Sequence, residues 1–159
     1  MKKVLSVLTL GMILCLMLGT CPALADFRVT EAREAVLPDG VHRLTLPAGM
    51  IVSSPKPEET DLKGVFRREP DLEMLGFAWD AQGSTVEGLA EALTENGREA
   101  QVREIAGERF LVYQDADPAD GAPCVGYSYL FDGWLIEIDF FYGSQDAANL
   151  TRDIMETFH

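Results

Sequence analysis

Residues 124–141 restrict the fold more than any other part of this sequence. They form two β-rich arms on either side of Asp132-Gly133, a dipeptide typical of a two-residue type I′ turn. Folding about this turn pairs Phe131 with Trp134 and makes one face of the hairpin wholly apolar. The opposite face is mixed, and its polar side chains are Ser128, Glu137 and Asp139. We therefore predict a long antiparallel hairpin with one buried face and one wetter face.

Short alternating patterns predict five further strands, at residues 42–46, 63–69, 73–79, 101–105 and 108–114. The strand at 73–79 is apolar on both faces, which is typical of a strand covered from both sides. Residues 26–40 are ambiguous, and they end in the turn signal Pro38-Asp39-Gly40. The loop at 53–59 contains two prolines, so we expect it to be exposed.

Two amphipathic helices complete the pattern. Ser84-Thr85-Val86-Glu87 is a capping box before apolar residues at helical spacing, and Asn96-Gly97 ends that helix. Ser144 caps a second helix, whose apolar stripe is Ala147, Leu150, Ile154 and Phe158. The order β-β-β-α-β-β-β-β-α predicts an α+β fold. We expect a mainly antiparallel sheet of about six to seven strands, with two helices on its apolar face.

The N-terminus predicts export. Lys2 and Lys3 precede an uncharged apolar stretch at 4–19, and Ala23-Leu24-Ala25 is typical of a signal-peptidase cleavage site. Sixteen or so residues are short of the roughly 20 that span a bilayer. We predict a signal peptide at residues 1–25, a secreted or extracytoplasmic bacterial product at 26–159, and no membrane span after cleavage. The alternative is a lipoprotein anchored through Cys21, because Leu18-Gly19-Thr20-Cys21 resembles a lipobox.

The cysteine content and the net charge of residues 26–159 exclude some classes of function. Removing residues 1–25 leaves Cys124 as the only cysteine, and we interpret it as an inert buried residue; an intermolecular bridge or a reactive thiol are the alternatives. Removal also leaves 11 basic and 26 acidic side chains, a formal charge of −15. Such a surface repels phosphate backbones and anionic lipids, which argues against nucleic-acid binding.

The chain resembles the PsbP and Mog1 type of domain in the order of its elements. The resemblance rests on the entry Leu44-Thr45-Leu46-Pro47-Ala48-Gly49-Met50, the first helix, the strand from Gly107 to Tyr113, the long hairpin and the last helix. It extends over residues 41–159. Members of this type are chiefly protein-binding or accessory modules. The resemblance therefore implies a non-enzymatic role with an unidentified protein or cell-envelope component as partner.

The inventory of catalytic residues is small. His42 and His159 are the only histidines, so a catalytic triad or a histidine-rich metal site has almost no material. No P-loop and no Gly-x-Gly-x-x-Gly motif is present, and we predict no cofactor.

Two acidic features carry the alternative functions. The loop with Asp115, Asp117 and Asp120 has the charge of a calcium site but lacks EF-hand spacing, so we expect a solvated turn. Glu137 and Asp139 lie two residues apart on one strand face, roughly 6 to 7 Å from each other, where a carboxylate pair could act in a small secreted hydrolase.

We interpret the mixed face of the hairpin, which carries Glu137 and Asp139, as a recognition surface. Gly126 has no side chain to cover Asp139 across the hairpin, which predicts a shallow polar opening. The leading hypothesis is an exported non-enzymatic binding module that uses Ser128, Glu137 and Asp139.

Overall fold

The computed structural model describes residues 26–55, 58–117 and 121–159. Within them, eight strands form one antiparallel sheet in the order β1-β4-β5-β6-β10-β9-β8-β7, and β2 pairs with β3 separately. The strands are β1 (Phe27–Arg28), β2 (Arg33–Val36), β3 (Arg43–Leu46), β4 (Ile51–Ser53), β5 (Leu62–Arg68), β6 (Leu72–Asp80), β7 (Ala100–Ile105), β8 (Glu108–Ala116), β9 (Pro123–Phe131) and β10 (Trp134–Tyr142). The α+β class and the mainly antiparallel sheet are confirmed.

The strand count exceeds the predicted six to seven because three short strands were missed. They are β1, β2 and β4, which have only two to four residues each. Segments of this length are too short to show an alternating pattern, and β1 and β4 depend on pairing with each other across more than twenty residues. They extend the sheet at one edge or form the separate pair with β3.

The hairpin of β9 and β10 has the predicted register. Phe131 pairs with Trp134, and the pairing continues to Cys124 opposite Phe141. The backbone at Asp132 and Gly133 has φ angles of 48° and 81°, as a type I′ turn requires.

Helix α1 (Val86–Glu95) follows β6, and helix α2 (Gln145–Met155) follows β10. The N-cap of α1 is Thr85 and not Ser84, because the Thr85 side chain accepts from the backbone N–H of Gly88. The predicted cap of α2 is confirmed: Ser144 accepts from the N–H of Ala147. Neither described helix has the length and apolar character needed to cross a membrane.

The two helices lie on opposite faces of the sheet, which corrects the expectation that both cover one face. The main core contains side chains of β3, alternate residues of β6, β8, β9 and β10, and the buried side of α2. A smaller core under α1 contains Val86, Leu111 and Tyr113. Neighbouring residues on β8 point to different cores: Phe110 and Val112 to the first, Leu111 and Tyr113 to the second.

A buried carboxylate ties the N-terminal turn to the centre of the sheet. Asp39 accepts from the backbone N–H groups of Val41 and His42, at 2.9 and 3.0 Å. Its other oxygen is 2.6 Å from both His42 Nδ1 and the hydroxyl of Tyr129, and the His42 ring stacks on Phe158. Burial alone would raise the pKa of Asp39, but the hydrogen bonds from Tyr129, His42 and the backbone outweigh it and lower that pKa. The turn at Pro38-Asp39-Gly40 is therefore also anchored to the sheet through the Asp39 side chain.

The Asp39 network gives a stability prediction. Replacing Tyr129 by Phe keeps the ring but leaves a buried carboxylate short of one hydrogen bond, and we expect a loss of about 1.5 to 3 kcal/mol of unfolding free energy. Urea denaturation measures it. The control is Tyr142→Phe, since no described group bonds the Tyr142 hydroxyl, and its effect should stay within about 0.5 kcal/mol. Equal effects of the two substitutions would contradict the network.

Candidate functional site

Tyr113 fills the space that the sequence predicted as a polar opening. Its ring extends from β8 over Gly126 on β9, which pairs with both Tyr113 and Asp139. A Cβ atom at Gly126 would lie 2.1 Å from the Tyr113 Cζ atom. The missing side chain of Gly126 therefore accommodates the chain's own tyrosine and leaves no shallow opening there. A glycine inside a strand often marks such a close approach, and this was the signal that could have identified Tyr113.

The Tyr113 hydroxyl lies between the two predicted carboxylates. It contacts Glu137 Oε1 in a short hydrogen bond and Asp139 Oδ1 at 2.9 Å. The second oxygen of Glu137 accepts from Trp79 Nε1 at 2.9 Å. Sequence reasoning brought Glu137 and Asp139 together correctly but missed both Tyr113 and Trp79, which come from strands far away in sequence.

The proton count of this cluster explains its electrostatics. A phenol carries one proton and can donate to only one carboxylate at a time. The two carboxylates therefore compete for the single hydroxyl proton of Tyr113.

The pKa values agree with this count. Burial, together with the nearby charge of Glu137, raises the pKa of Asp139 to about 7, although the hydrogen bond from Tyr113 opposes the shift. Burial and the charges of Asp139 and Glu137 also raise the pKa of Tyr113 far above its usual value. Tyr113 therefore remains a neutral donor at all physiological pH values.

Ser128 and Cys124 lie on the same face of the sheet as Glu137 and Asp139, but both are buried. Ser128 is only 2% exposed and pairs with both Leu111 and Glu137. Cys124 is buried, as predicted, and burial and the charge of Asp139 raise its pKa to about 12. The thiol is thus neutral and unreactive. The use of Ser128, Glu137 and Asp139 for binding remains a prediction, and only the two acids approach the surface.

The loop with Asp115, Asp117 and Asp120, which we predicted to be a solvated turn with calcium binding as the alternative, is only partly described. Asp120 lies outside the described residues. The carboxylate of Asp115 forms an ion pair with Arg98 at 2.7 Å. Among the residues that the structure describes, no three histidine, cysteine or acidic side chains are grouped so that they could hold a metal ion.

An apolar surface begins beside the acidic pair. In the register of β10 with β6, Asp139 faces Leu75, Glu137 faces Phe77, and Leu135 faces Trp79. We call the apolar side chains of this region the open face: Val65, Leu75, Phe77, Trp79, Leu135 and Phe141. Helix α1 packs against β7, β8 and β9, and within the described ranges the open face belongs to neither core.

The open face corrects the expectation that β6 is covered on both sides. Leu72, Met74, Gly76 and Ala78 are buried on one side, but Leu75 and Phe77 on the other are only half-buried. Trp79 is 38% exposed and stacks on Phe77. Among the described residues, the apolar side chains on this side of β6 therefore belong to neither core and stay partly exposed.

The close approach of Tyr113 to Gly126 predicts the effect of one methyl group. Gly126→Ala should push the Tyr113 ring off the two carboxylates and cost about 1 to 3 kcal/mol of unfolding free energy, because the site is already filled. In a Tyr113→Ala background the same substitution meets no ring and should cost clearly less. Denaturant unfolding of the four proteins in this double-mutant cycle gives the coupling. Additive effects would contradict the contact.

The raised pKa of Asp139 predicts a pH dependence. The folded protein holds this proton more tightly than the unfolded chain, so its stabilising effect is complete below about pH 4 and is lost as pH rises through about 7. Asp139→Asn removes this dependence. Its unfolding free energy should exceed that of the wild type by a margin that grows from pH 4 to 8, to on the order of 4 kcal/mol. Glu91→Gln, at an exposed acid on α1, is the control, and a margin independent of pH would refute the assignment.

Comparison with known proteins identifies the fold. No family model matches the chain, and no curated protein matches it. Among solved structures, the cyanobacterial PsbP (CyanoP) from Synechocystis sp. PCC 6803 matches with a TM-score of 0.61 and 16% identity, over 90% of this chain and 98% of that one. A protein from Bacteroides thetaiotaomicron VPI-5482 matches with a TM-score of 0.56 and 11% identity, over 82% of this chain and 48% of that one. The chain therefore has a PsbP-like fold, as the order of its elements predicted.

Proposed function

We propose that this protein is an exported, non-catalytic module that binds a protein or another cell-envelope component through the open face. The observation that carries the proposal is the apolar side of β6 and β10, which neither core includes. An apolar patch with a half-exposed tryptophan and a polar border is typical of a recognition surface. The PsbP-like fold supports a binding or accessory role, as the resemblance in element order implies.

The border of the open face indicates the chemistry of the partner. Glu137 and Asp139 lie beside it, and among the described residues no lysine or arginine forms an ion pair with either. Asp115 lies opposite Cys124 on the same side of the sheet, but it is paired with Arg98. A lysine or arginine of a partner would relieve the repulsion between the two carboxylates. The proposed partner therefore presents apolar side chains next to a basic one.

Export supplies the compartment for this interaction. The apolar segment at 4–19 and the Ala-x-Ala triplet at 23–25 support cleavage before Asp26. The partner would then be a secreted or envelope protein. Anchoring through Cys21 is the alternative, and it would hold the same domain at a membrane surface.

A small hydrolase is the second candidate, and the raised pKa of Asp139 favours it. A carboxyl group with a raised pKa beside a second carboxyl group is the arrangement that a general acid with a base or nucleophile requires. The position of Tyr113 argues against catalysis, since its hydroxyl contacts both carboxylates in the space where a scissile bond would have to lie. The acidic pair therefore fits recognition better than turnover.

The experiment is affinity capture from the envelope and culture fluid of the producing bacterium, with the purified protein as bait. Trp79→Ala should weaken capture of a specific partner by roughly thirtyfold, as loss of a tryptophan at a binding centre does. Glu137→Gln with Asp139→Asn should weaken it as well and make the remainder less sensitive to salt.

The matched control is Trp134→Ala. Trp134 is 51% exposed but lies on the opposite face of the sheet, so this variant should capture the partner normally. Loss of capture with Trp134→Ala and not with Trp79→Ala would refute the open face as the binding surface. Hydrolysis of a glycan panel that disappears in the double carboxylate variant would establish the second candidate instead.

A further inference from the structure

The two edges of the eight-stranded sheet differ in length and in protection. Within the described residues, the sheet ends on one side at β1, which has two residues, and on the other side at β7, which has six. β7 contains no proline, and its register with β8 runs from Ala100 to Ile105 without a bulge. Short length, proline and bulges protect an edge strand from pairing with another chain. The β7 edge lacks all three of these devices.

Every second residue of β7 presents its backbone to the outside of the sheet. Across the pair of β7 with β8, the N–H of Gln114 donates to the carbonyl oxygen of Glu99. Bonded positions alternate along an antiparallel pair, so the odd-numbered residues of β7 bond to β8. The N–H and C=O groups of Ala100, Val102 and Glu104 therefore point outward, and no hydrogen bond joins them to another described residue. These groups form a template for one more antiparallel strand.

One register lets β7 pair with β7 of a second copy about a two-fold axis. With Val102 opposite its own equivalent, Ala100 lies opposite Glu104, and all the outward backbone groups of both strands are bonded. A shift in one direction places Arg103 opposite Arg103 of the other copy, where like charges repel. A shift in the other direction leaves Glu104 beyond the end of the other strand. The register centred on Val102 is therefore the favoured one.

The charged side chains near this edge complement each other in the same register. On the side of the main core, Arg103 lies diagonally across from Glu99 of the second copy. On the side of α1, Glu104 lies diagonally across from Arg98, which pairs with Asp115 in its own chain. Long side chains reach such diagonal neighbours. Arg103, Glu99 and Glu104 are exposed, and none of them forms an ion pair with a described residue.

We propose that the protein forms a two-fold symmetric dimer in which the β7 strands of two copies pair in antiparallel orientation, centred on Val102. The two sheets then form one continuous sheet. On the side of α1, the two Val102 side chains meet and extend the smaller core across the axis. The axis is perpendicular to the sheet, so the open faces of both copies lie on the same side. The dimer does not depend on the function proposed for the open face, but it presents two copies of that surface together.

Sedimentation equilibrium of the purified protein over a range of concentrations tests the dimer. We expect a reversible dimer with a dissociation constant on the order of 10 to 100 μM, because pairing along one strand buries less surface than a standard interface. Val102→Pro removes an outward N–H without breaking a bond to β8, so this variant should fold and stay monomeric. Circular dichroism checks the fold. A wild type that is monomeric throughout, or a dimer that Val102→Pro leaves unchanged, would overturn the proposal.

An exchange of charges tests the register and needs no proline. Arg103→Glu places two acids diagonally opposite each other, twice in a symmetric dimer, and should weaken dimerisation about tenfold. Adding Glu99→Arg should restore it. The control is Arg68→Glu, at an exposed arginine of β5 without an ion pair to a described residue, which should dimerise as the wild type does. No loss in Arg103→Glu, a loss that Glu99→Arg does not restore, or an equal loss in Arg68→Glu would contradict this register.

Trp79→Ala separates the dimer from the function proposed for the open face. This variant should lose capture of a partner and still dimerise, because Trp79 lies on β6, in the interior of the sheet. Loss of dimerisation in Trp79→Ala, with Val102→Pro unaffected, would mean that the open face and not the β7 edge joins the two copies.

Discussion

The pairing of β10 with β6 is the interaction on which the rest of the structure depends. It joins nine residue pairs of strands that are about sixty positions apart, and it connects the N-terminal strands to the C-terminal ones in a single sheet. β10 also pairs with β9 along eight residues. Pairing with a strand at each edge determines which side chains of β10 point to which face of the sheet. Ile136, Ile138 and Phe140 are thereby committed to the main core, and Glu137 and Asp139 to the other face.

As a result, other parts of the chain cover one face of the sheet fully and the other face only in part. On the first face, α2 and the segment with Leu44 and Leu46 complete a core in which these side chains are nearly inaccessible. On the second face, α1 is only ten residues long and covers the strands at one edge. Glu137 and Asp139 lie on β10, next to the strands that α1 covers. A partner that completes the apolar layer would therefore meet two carboxylates that share a phenol and that form no ion pair with a described lysine or arginine.

The sequence predicts local features well and distant ones poorly, for physical reasons that particular residues show. The turn at Asp132-Gly133 needs a positive φ at both positions, so a dipeptide determines the register of the whole hairpin. Ser144 caps α2 through an atom three residues away. The bonds from Tyr113 and Trp79 to Glu137 instead cross 24 and 58 positions, and no local pattern encodes them. Likewise, alternation shows that β6 is apolar on both sides but not whether the chain is long enough to cover both.

The two faces of β10 have different surroundings, one packed and one open to solvent. Methyl relaxation in the presence of a soluble gadolinium chelate tests it directly, because the chelate acts on methyl groups that it can approach. We expect strong enhancement for Val65, Leu75 and Leu135 and little for Leu44, Ile136 and Ile138. Equal protection of Leu135 and its neighbour Ile136 would mean that the open face is covered, and it would refute the difference between the two faces.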